Sequence, residues 1–392
     1  MWYNISMPLK FKIIRDIKDL KNKIVLLRVD FNVPIEKGKI KDGYKIKASL
    51  PTIKYLLDKK AKIILVSHLG RPLKKEKKYS LKIVALELEK LLKRKIDFQD
   101  FQDYKKSRAS VTLLENIRYH KEEQENDIKF SKSLSSLADI FVFDGFAVSH
   151  RTSASVVGVS RFLPTYGGFL IEKEINGLNK VLVNPKKPMI VVLGGAKMET
   201  KIPILKNLIK IADYILIGGG VANTFLKSEG YKVGGSLICD NCLKQALVFA
   251  NKQKIILPLD VIVGDKNGKN CEVVNIDKKF KITSSKLGIY DVGPKTIQKY
   301  SEFIKSAKTL VWNGALGYFE QKEYSYGTYA LATLISARSK GKAFGVCGGG
   351  ETVEILKKLK VEDDIDLLST GGGAMLEFLA GKKLPGLEIL KK

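Results

Sequence analysis

The chain has few cysteines and no long apolar run. Four cysteines among 392 residues are too few for a disulfide scaffold, and they favour a reducing cytoplasm as the compartment. No hydrophobic segment is long enough to span a bilayer. The opening residues, MWYNISMPLKFKIIRD, lack an apolar core followed by small residues, so we expect no secretory signal. We interpret the six residues before Met7 as an extension or a misassigned start, and the sequence leaves open whether they are native.

Two of the cysteines, Cys239 and Cys242, have the spacing of a metal-binding or redox pair. A second pair with similar spacing is missing, and the surrounding segment has a helical pattern. We therefore interpret them as chance neighbours on the surface, with a metal or redox role as the alternative.

Acidic residues are too few to balance the basic ones. There are 69 Lys and Arg against 41 Asp and Glu, which gives a formal net charge of +28. Such a charge is typical of nucleic-acid-binding proteins, but it also arises in a lysine-rich chain with solvated faces. The charge is spread along the whole sequence, without a basic tail or a basic run interleaved with aromatic residues. We favour solvated faces that also attract anionic substrates, and expect no nucleic-acid partner.

Two nucleotide-binding fingerprints are also missing. The chain contains neither a GxxxxGK[ST] loop nor a GxGxxG motif. Their absence disfavours P-loop kinases, protein kinases and dinucleotide-dependent oxidoreductases.

Short β-branched runs alternate with longer amphipathic stretches, which predicts a doubly wound α/β fold with parallel sheets. A break with prolines and lysines at Val183–Pro188 indicates a domain boundary, so we predict domains over residues 1–183 and 184–379. The predicted strands are IVLLRVD, KIILVS, SVTLLE, IFVFD, MIVVLGG, YILIGG, LDVIV, TLVWN and AFGVCGG.

Polar and cationic residues follow the strands of the first half. Ligands of parallel sheets bind beyond the carboxyl ends of the strands, and guanidinium groups form bidentate bonds with phosphate and carboxylate. Any one of these arginines alone is better explained by a surface ion pair. Four strand ends with the same chemistry predict a site for a small, multiply charged anion. The residues are Asp30, Asn32, His68, Arg71, Arg118, His150 and Arg151.

Glycines follow the strands of the second half. Glycine lets backbone amides approach phosphate closely, and a helix N-terminus favours an anion. Lys197 and Lys201, in LGGAKMETK, are one turn apart on a helix that we expect to start at the glycines. Tight packing of strand against helix also uses glycine, but the repeated junctions with two lysines predict a nucleotide site. The other junctions are YILIGGGVANTFL, FGVCGGGETVEIL and LLSTGGGAMLEFL.

Together these motifs resemble the phosphoglycerate kinase family over nearly the whole chain. The matching segments occur in the family's order: RVDFNVP, SHLGRP, LLENIRYH, LGGAKMETK, GGGVANTFL, DVGPKT, VWNGALGYFE, CGGGET and STGGGAMLEFLAGKKLPG. The resemblance implies two Rossmann-like domains joined by a hinge across a cleft. It also implies that the C-terminal tail, from about residue 380 to 392, packs back on the N-terminal domain, and it suggests a monomer.

The resemblance implies reversible phosphoryl transfer between 1,3-bisphosphoglycerate and ADP, giving 3-phosphoglycerate and ATP, after hinge closure and without a covalent enzyme intermediate. Catalysis would rest on positioning and charge stabilisation. Mg²⁺ would accompany the nucleotide, with Glu351 as its protein ligand. By resemblance, the phosphoglycerate site comprises Asp30, Phe31, Asn32, Lys45, His68, Leu69, Gly70, Arg71, Arg118 and Arg151. The nucleotide site comprises Gly195, Ala196, Lys197, Lys201, Gly219, Asn313, Glu320, Gly349, Gly350, Glu351 and Thr352. The catalytic set comprises Lys45, Lys201, Gly350 and Gly373.

The main departure from the family is Lys45, which stands where the family has an arginine that stabilises the phosphoryl group in flight. Lysine keeps the charge but loses the planar fork, which predicts a working but slower site. Glu351 replaces the usual aspartate at the metal. The milder departures are Phe143, Gly145, Ala315 and Met375.

Three functional hypotheses follow from the sequence. The chain is an active kinase of this family, a related enzyme with an altered acceptor or weak activity, or a basic fold reused to bind nucleic acid. Retention of Arg118, Lys201 and Glu320 argues against the third, because a pure binding protein does not need both half-sites.

Overall fold

The computed structural model describes residues 11–392. The expectations about a secretory signal and about the residues before Met7 concern the start of the chain, outside this range. Within residues 11–392, no helix combines the length and the apolar composition needed to cross a membrane.

The chain divides into two compact units. The N-terminal unit comprises residues 11–176 together with Lys383–Lys392, and the C-terminal unit comprises Gly177–Lys382. The division falls within a helix, Phe169–Leu182, upstream of the predicted boundary at residues 183/184.

The N-terminal unit contains a six-stranded parallel sheet in the order β5-β6-β4-β1-β7-β8. Its four central strands are almost wholly buried, as is typical of a parallel sheet covered on both faces. The strands are β1 (Ile24–Arg28), the antiparallel pair β2 (Ile35–Glu36) and β3 (Lys39–Ile40), β4 (Lys62–Val66), β5 (Asp97–Gln99), β6 (Val111–Leu114), β7 (Ile140–Phe143) and β8 (Thr165–Gly167). The helices are α1 (Tyr44–Asp58), α2 (Lys82–Leu92), α3 (Lys121–Glu125), α4 (Ile128–Ser135) and the start of α5 (Phe169–Leu182).

The end of the chain packs on this unit. Leu384, Leu387 and Leu390 are buried, and the Gly386 amide donates to the Ser149 carbonyl at 2.8 Å. The Lys12 amide donates to the Leu390 carbonyl, also at 2.8 Å. The last residues of the chain therefore pack on this unit and hydrogen-bond with the first described residues.

The C-terminal unit contains a second six-stranded parallel sheet, in the order β12-β10-β9-β17-β18-β19. The two parallel-sheet α/β units confirm the predicted fold class. The strands are β9 (Met189–Leu193), β10 (Tyr214–Ile217), β11 (Lys232–Val233), β12 (Ile255–Ile256), β13 (Asp260–Gly264), β14 (Glu272–Asn275), β15 (Lys281–Ile282), β16 (Gly288–Val292), β17 (Thr309–Asn313), β18 (Phe344–Gly348) and β19 (Leu367–Ser369). The helices are α6 (Met198–Leu208), α7 (Gly219–Ser228), α8 (Leu243–Ala250), α9 (Pro294–Ser306), α10 (Tyr326–Ser339), α11 (Gly350–Leu359) and α12 (Gly373–Leu379), and α13 (Pro385–Glu388) follows in the N-terminal unit.

One predicted strand, LDVIV, belongs to a different kind of sheet from the one expected. It forms β13, which pairs antiparallel with β14 on one side and β16 on the other. The prediction of a parallel strand was wrong because this apolar run packs against one small cluster that includes Phe280, Ile282 and Ile289. A short apolar run does not by itself reveal the direction of its partners.

The prediction of a chance surface pair at Cys239 and Cys242 was also wrong. Both side chains are buried and joined by a disulfide, with their Cα atoms 5.3 Å apart. A 3₁₀ turn at Asp240–Cys242 brings them together immediately before α8. Spacing alone could not distinguish this turn from a continuous helix, in which the two side chains would not need to meet.

Candidate active site

At the carboxyl end of β1, Asp30 is buried among cations. Lys45 lies at the start of α1, and its Nζ donates a hydrogen bond to Asp30 Oδ2 at 2.6 Å. Burial acts to raise the pKa of Asp30, but the charge and hydrogen bond of Lys45 and the charge of Arg28 oppose it, and the pKa is lowered to about 2. Asp30 is therefore ionised at neutral pH and holds the Lys45 ammonium at this sheet edge.

Sequence reasoning missed Arg28, the last residue of β1, although an arginine ending an apolar strand is a visible signal. It is fully buried, and its Nε donates to Ser155 Oγ at 2.8 Å. Ser155 in turn donates from its amide and its hydroxyl to Glu123, at 2.8 and 2.7 Å. This network fixes the guanidinium beneath the sheet edge.

His68 follows β4 and is buried beside Arg28. Arg28 Nη2 lies 3.3 Å from His68 Nδ1, so that nitrogen acts as the acceptor. Burial, opposed by Asp30 and reinforced by Arg28, lowers the pKa of His68 well below its usual value. The approach of His68 Nδ1 to Asp30 Oδ1 at 3.7 Å is therefore not an ion pair at neutral pH, and the imidazole is neutral.

The turn after β4 is held by amide and guanidinium groups. Asn32 Oδ1 accepts from the Gly70 amide at 2.8 Å, and Arg118 Nη1 donates to the Gly70 carbonyl at 2.6 Å. Asn116, which was not predicted as a site residue, accepts from the Leu69 amide at 3.2 Å and donates to the Leu69 carbonyl at 2.7 Å. The turn is thereby fixed to the ends of β1 and β6.

The arginines around this turn repel one another. Burial and then the charges of Arg151 and Arg28 lower the pKa of Arg118 to about 10. Burial and then Arg71 lower the pKa of Arg151. Arg151 Nε is buried and has no hydrogen-bond partner among the described residues. A multiply charged anion would relieve this repulsion. We call Asp30, Lys45, His68, Arg118 and Arg151 the arginine site.

In the C-terminal unit, the backbones of two strand ends touch. The Gly194 amide donates to the Asn313 carbonyl at 3.0 Å, and the Gly195 amide donates to the Ala315 carbonyl at 2.6 Å. A Cβ on Gly194 would lie 2.1 Å from the Ala315 oxygen, so only glycine fits. These ends belong to β9 and β17, between which the strand order reverses, where doubly wound sheets bind ligands.

Lys201, on α6, is buried and donates to Asn313 Oδ1. Burial, opposed by the Glu351 carboxylate, lowers its pKa to about 8. Asn313 also donates from Nδ2 to the Gly348 carbonyl at the end of β18. Lys197 precedes α6 and is exposed, so the two lysines predicted to act together occupy different environments.

Helix α11 begins at this same edge. The Gly314 amide donates to Thr352 Oγ1 at 2.8 Å, and the Ala315 amide donates to Glu351 Oε2 at 3.3 Å. The positions of Gly350 and Gly373, which begin α11 and α12, have open space around them. Open helix N-termini beside a buried lysine suit phosphate groups.

The remaining predicted residues divide between the two sites. Phe31 and Leu69 are buried at the arginine site, whereas Arg71 is exposed there. Ala196 and Glu320 are exposed in the C-terminal unit. We call the carboxyl ends of β9, β10, β17, β18 and β19, with Lys201 and Glu351, the glycine site.

Among the described residues, Glu199, Cys239 and Cys242 form the one group with three metal-ligating atoms close together. The two sulfurs are joined to each other, so they do not act as thiolate ligands in this form.

Comparison with known proteins supports one family throughout. The family model described as phosphoglycerate kinase matches residues 14–382. A protein named phosphoglycerate kinase from Borreliella afzelii (strain PKo) is 44% identical, over 98% of this chain and 100% of its own length. The protein of that name from Pseudothermotoga lettingae is 46% identical, over 96% and 98%.

Solved structures agree with these sequence matches. The structure of phosphoglycerate kinase from Coxiella burnetii has a TM-score of 0.85 and 40% identity, covering 97% of this chain and 98% of that one. The Pyrococcus horikoshii OT3 enzyme has a TM-score of 0.84 and 33% identity, covering 97% of this chain and 98% of its own.

Proposed function

The chain belongs to the phosphoglycerate kinase family, whose members are glycolytic kinases that transfer phosphate, and on this premise we propose how its residues divide the work. The arginine site holds 3-phosphoglycerate or 1,3-bisphosphoglycerate, and the glycine site holds ADP or ATP. We propose that these two sites belong to domains over residues 1–183, with the C-terminal tail, and 184–379. The protein acts as a monomer in the cytoplasm.

The proposal rests on the contrast between the two sites. Three arginines whose pKa values are lowered by burial, Arg28, Arg118 and Arg151, lie at one sheet edge of the N-terminal unit. The C-terminal unit instead has open, glycine-rich helix N-termini beside buried Lys201. The first arrangement fits a small carboxylate and phosphate ligand, because several guanidinium groups share its charge. The second fits a polyphosphate chain.

The phosphoryl group passes directly between the two substrates, in line and without a covalent enzyme intermediate. Direct transfer requires the substrates to meet, so we infer a hinge-closed state during turnover. Lys45, Lys201 and the amides of Gly350 and Gly373 stabilise the charge on the equatorial oxygens of the group in transfer. Glu320 binds the ribose.

The residues at the start of α11 fit a magnesium ion that accompanies the nucleotide. Mg²⁺ is usually held by one or two carboxylates together with substrate phosphates and water. Glu351 supplies one carboxylate, and its Oε2 atom would lie only 3.1 Å from a Cβ placed at Gly195, inside the glycine site. When bound, the ion would neutralise phosphate charge.

A coupled assay with 3-phosphoglycerate and MgATP tests the assignment. Arg118→Ala should raise the KM for 3-phosphoglycerate at least about tenfold and leave the KM for MgATP nearly unchanged, because a guanidinium bound to phosphate contributes roughly 1.5–3 kcal/mol. Lys201→Ala should affect the nucleotide instead. The matched controls are Arg108→Ala and Lys206→Ala, which remove exposed cations from the same two units.

Two results would contradict the proposal. One is that Arg118→Ala raises the KM for MgATP while Lys201→Ala raises the KM for 3-phosphoglycerate. The other is wild-type protein that binds RNA at micromolar concentration in competition with ATP and shows no turnover, which would favour a nucleic-acid-binding role.

A further inference from the structure

The Cys239–Cys242 pair lies beside the glycine site. Both sulfurs are buried, but Asp240 and Asn241 between them are exposed, so the pair lies beneath a surface turn. The Glu199 carboxylate, in the first turn of α6, is within 4.8 Å of both sulfurs. We propose that Cys239–Cys242 is a thiol–disulfide exchange site for small dithiols and disulfides, and that its oxidation state sets nucleotide affinity at the glycine site.

A short chain of contacts joins the pair to the glycine site. The Cys239 amide donates to Thr224 Oγ1 at 3.1 Å, and this hydroxyl donates to the Gly220 carbonyl at 2.9 Å in the first turn of α7. A Cβ at Gly220 would lie 3.3 Å from Leu237 Cδ2 and from the carbonyls of Gly195 and Ala196. The segment that ends at Cys239 and the loop that follows β9 therefore both lie against Gly220.

The other two cysteines lack such surroundings. Cys347 is buried in β18, where burial raises the pKa of its thiol, and Cys271 is exposed and donates to the Gly268 carbonyl. Neither is bonded to another sulfur. Disulfides in proteins of reducing compartments are most often catalytic or redox-sensing, so in the cytoplasm that we propose, this pair would be of that kind and not a structural crosslink.

Thiol–disulfide exchange at this pair needs only a dithiol as reductant or a disulfide as oxidant. One thiolate of a dithiol reductant attacks a protein sulfur, the S–S bond breaks, and a mixed disulfide forms with release of one cysteine thiolate. The second thiol of the reductant loses its proton and displaces the other cysteine, so two electrons and two protons pass to the protein. In the oxidising direction, one cysteine thiolate attacks glutathione disulfide, forms a mixed disulfide and releases one glutathione thiolate. The second cysteine thiol then gives its proton to the Glu199 carboxylate, attacks the mixed disulfide and releases the second glutathione thiolate, which forms the Cys239–Cys242 bond.

The direction of the effect follows from the crosslink, and it rests on the proposed nucleotide site. The disulfide fixes Cys239 to the start of α8, and the Cys239 amide positions the hydroxyl that binds Gly220. Reduction removes this constraint, so the oxidised form should bind MgADP more tightly, by about fivefold. By thermodynamic reciprocity, saturating MgADP should raise the ratio of oxidised to reduced protein in a given glutathione buffer by the same factor.

The experiment counts thiols and measures binding on the same samples. Full-length protein is equilibrated in glutathione buffers of graded composition, with and without MgADP, and then quenched with acid. It is alkylated after unfolding, so that buried Cys347 also reacts, and the mass is measured by mass spectrometry. We expect two alkylated cysteines in the oxidised form and four in the reduced form, since the chain has four cysteines. Calorimetry then gives the dissociation constant for MgADP in each form.

Variants separate the pair from general effects of oxidation. The double substitution Cys239→Ser and Cys242→Ser should bind MgADP with the affinity of the reduced form at every redox poise. Cys271→Ser is the matched control and should keep the full redox dependence. Glu199→Gln should slow oxidation without changing the final oxidised fraction.

Two outcomes would overturn the inference. The exchange site is excluded if only two cysteines are alkylated after treatment with a strong dithiol reductant, because the disulfide would then resist reduction. It is also excluded if all four cysteines are alkylated in every glutathione buffer, because the disulfide would then never form. The coupling is excluded if both forms bind MgADP equally. If neither form binds MgADP, the proposed nucleotide site fails along with the coupling, while the thiol counts still decide the exchange.

Discussion

At the scale of single residues, Lys45 makes a contact with Asp30 that an arginine would make differently. Its ammonium lies 2.6 Å from Asp30 Oδ2, and its side chain is 27% exposed, so it neutralises a buried carboxylate while part of its surface stays open to solvent. An ammonium offers one compact charge, whereas a guanidinium can bond a carboxylate and a phosphoryl oxygen at the same time.

We therefore expect Lys45→Arg to raise kcat by up to about tenfold, and Lys45→Ala to lower it about 100-fold, because one electrostatic donor at a transition state has about that effect. Coupled-assay turnover at saturating MgATP and 3-phosphoglycerate measures both. Lys47→Arg, at an exposed position on the same helix, is the matched control. A Lys45→Arg variant no faster than wild type would show that lysine is already an adequate phosphoryl ligand here.

A second prediction at this scale concerns the protonation of Lys201. Burial holds the pKa of its ammonium at about 8, and bound phosphate would raise it. The cation is present below pH 8 and is lost from the free protein as the pH rises through that value, so affinity for MgADP should fall above pH 8. Calorimetry between about pH 6.5 and 9.5 measures this.

Lys201→Arg is the diagnostic variant, because arginine stays charged throughout the range and should flatten the profile. Lys206→Ala, on the exposed face of α6, should leave the profile unchanged. Identical pH profiles for wild type and Lys201→Arg would assign the dependence to another group, such as the nucleotide phosphates.

At the scale of elements, the junctions between strands and helices depend on backbone geometry. Gly349 precedes α11 with a φ of +100°, and a Cβ there would lie 2.8 Å from Asn313 Nδ2. Asn313 also accepts from Lys201, so a displaced amide would disturb the lysine as well as the backbone.

We expect Gly349→Ala to weaken MgADP binding at least about tenfold and to destabilise the C-terminal unit by about 1–2 kcal/mol, the usual strain of a non-glycine residue at positive φ. Gly341→Ala is the matched control, because Gly341 has a φ of +79° with nothing within 4 Å of its Cβ position. It should have the strain without the loss of binding. Calorimetry and chemical denaturation separate the two effects, and equal MgADP affinities would refute the steric argument.

The junctions were also the part of the structure that the sequence predicted best. An apolar run, then glycines, then a helical pattern defines strand, turn and helix locally, and β10–α7, β18–α11 and β19–α12 confirm the three quoted stretches. The antiparallel sheet around β13 could not be predicted, because its partners are set by packing between segments distant in sequence. The Cys239–Cys242 bond was missed for a similar reason, since a 3₁₀ turn and an α-helix share the same local pattern.

At the candidate site, the sequence identified groups that end strands but not those that position them. Asp30, His68 and Arg118 follow recognisable strands. The functions of Arg28, Asn116 and Glu123 depend on burial and on contacts with other strands, which no single segment displays. Roles in the reaction came from family resemblance, not from the pattern of residues.

At the scale of the whole molecule, the net charge of +28 is spread over both units. A basic groove in the N-terminal unit is lined by Arg94, Lys95, Lys105, Lys106 and Arg108, and another in the C-terminal unit by Lys180, Lys186, Lys187, Lys308 and Lys342. The second lies at the amino ends of β17 and β18, the opposite edge of the sheet from the glycine site. These cations contribute to the electrostatic field around the protein, although they do not belong to the arginine site or the glycine site.

The field should speed the encounter with anionic substrates, so kcat/KM for 3-phosphoglycerate should fall about tenfold as ionic strength rises from about 20 to 300 mM. Because the Debye length is about 10 Å at 0.1 M salt, charges near the arginine site should dominate the slope of kcat/KM against ionic strength. Arg71→Ala and Arg108→Ala each remove one exposed charge from the same unit, and only Arg71→Ala should reduce the slope. Initial rates at low substrate concentration across the salt series measure it. Equal slopes for the two variants would mean that total charge, not its placement at the sheet edge, steers the substrate.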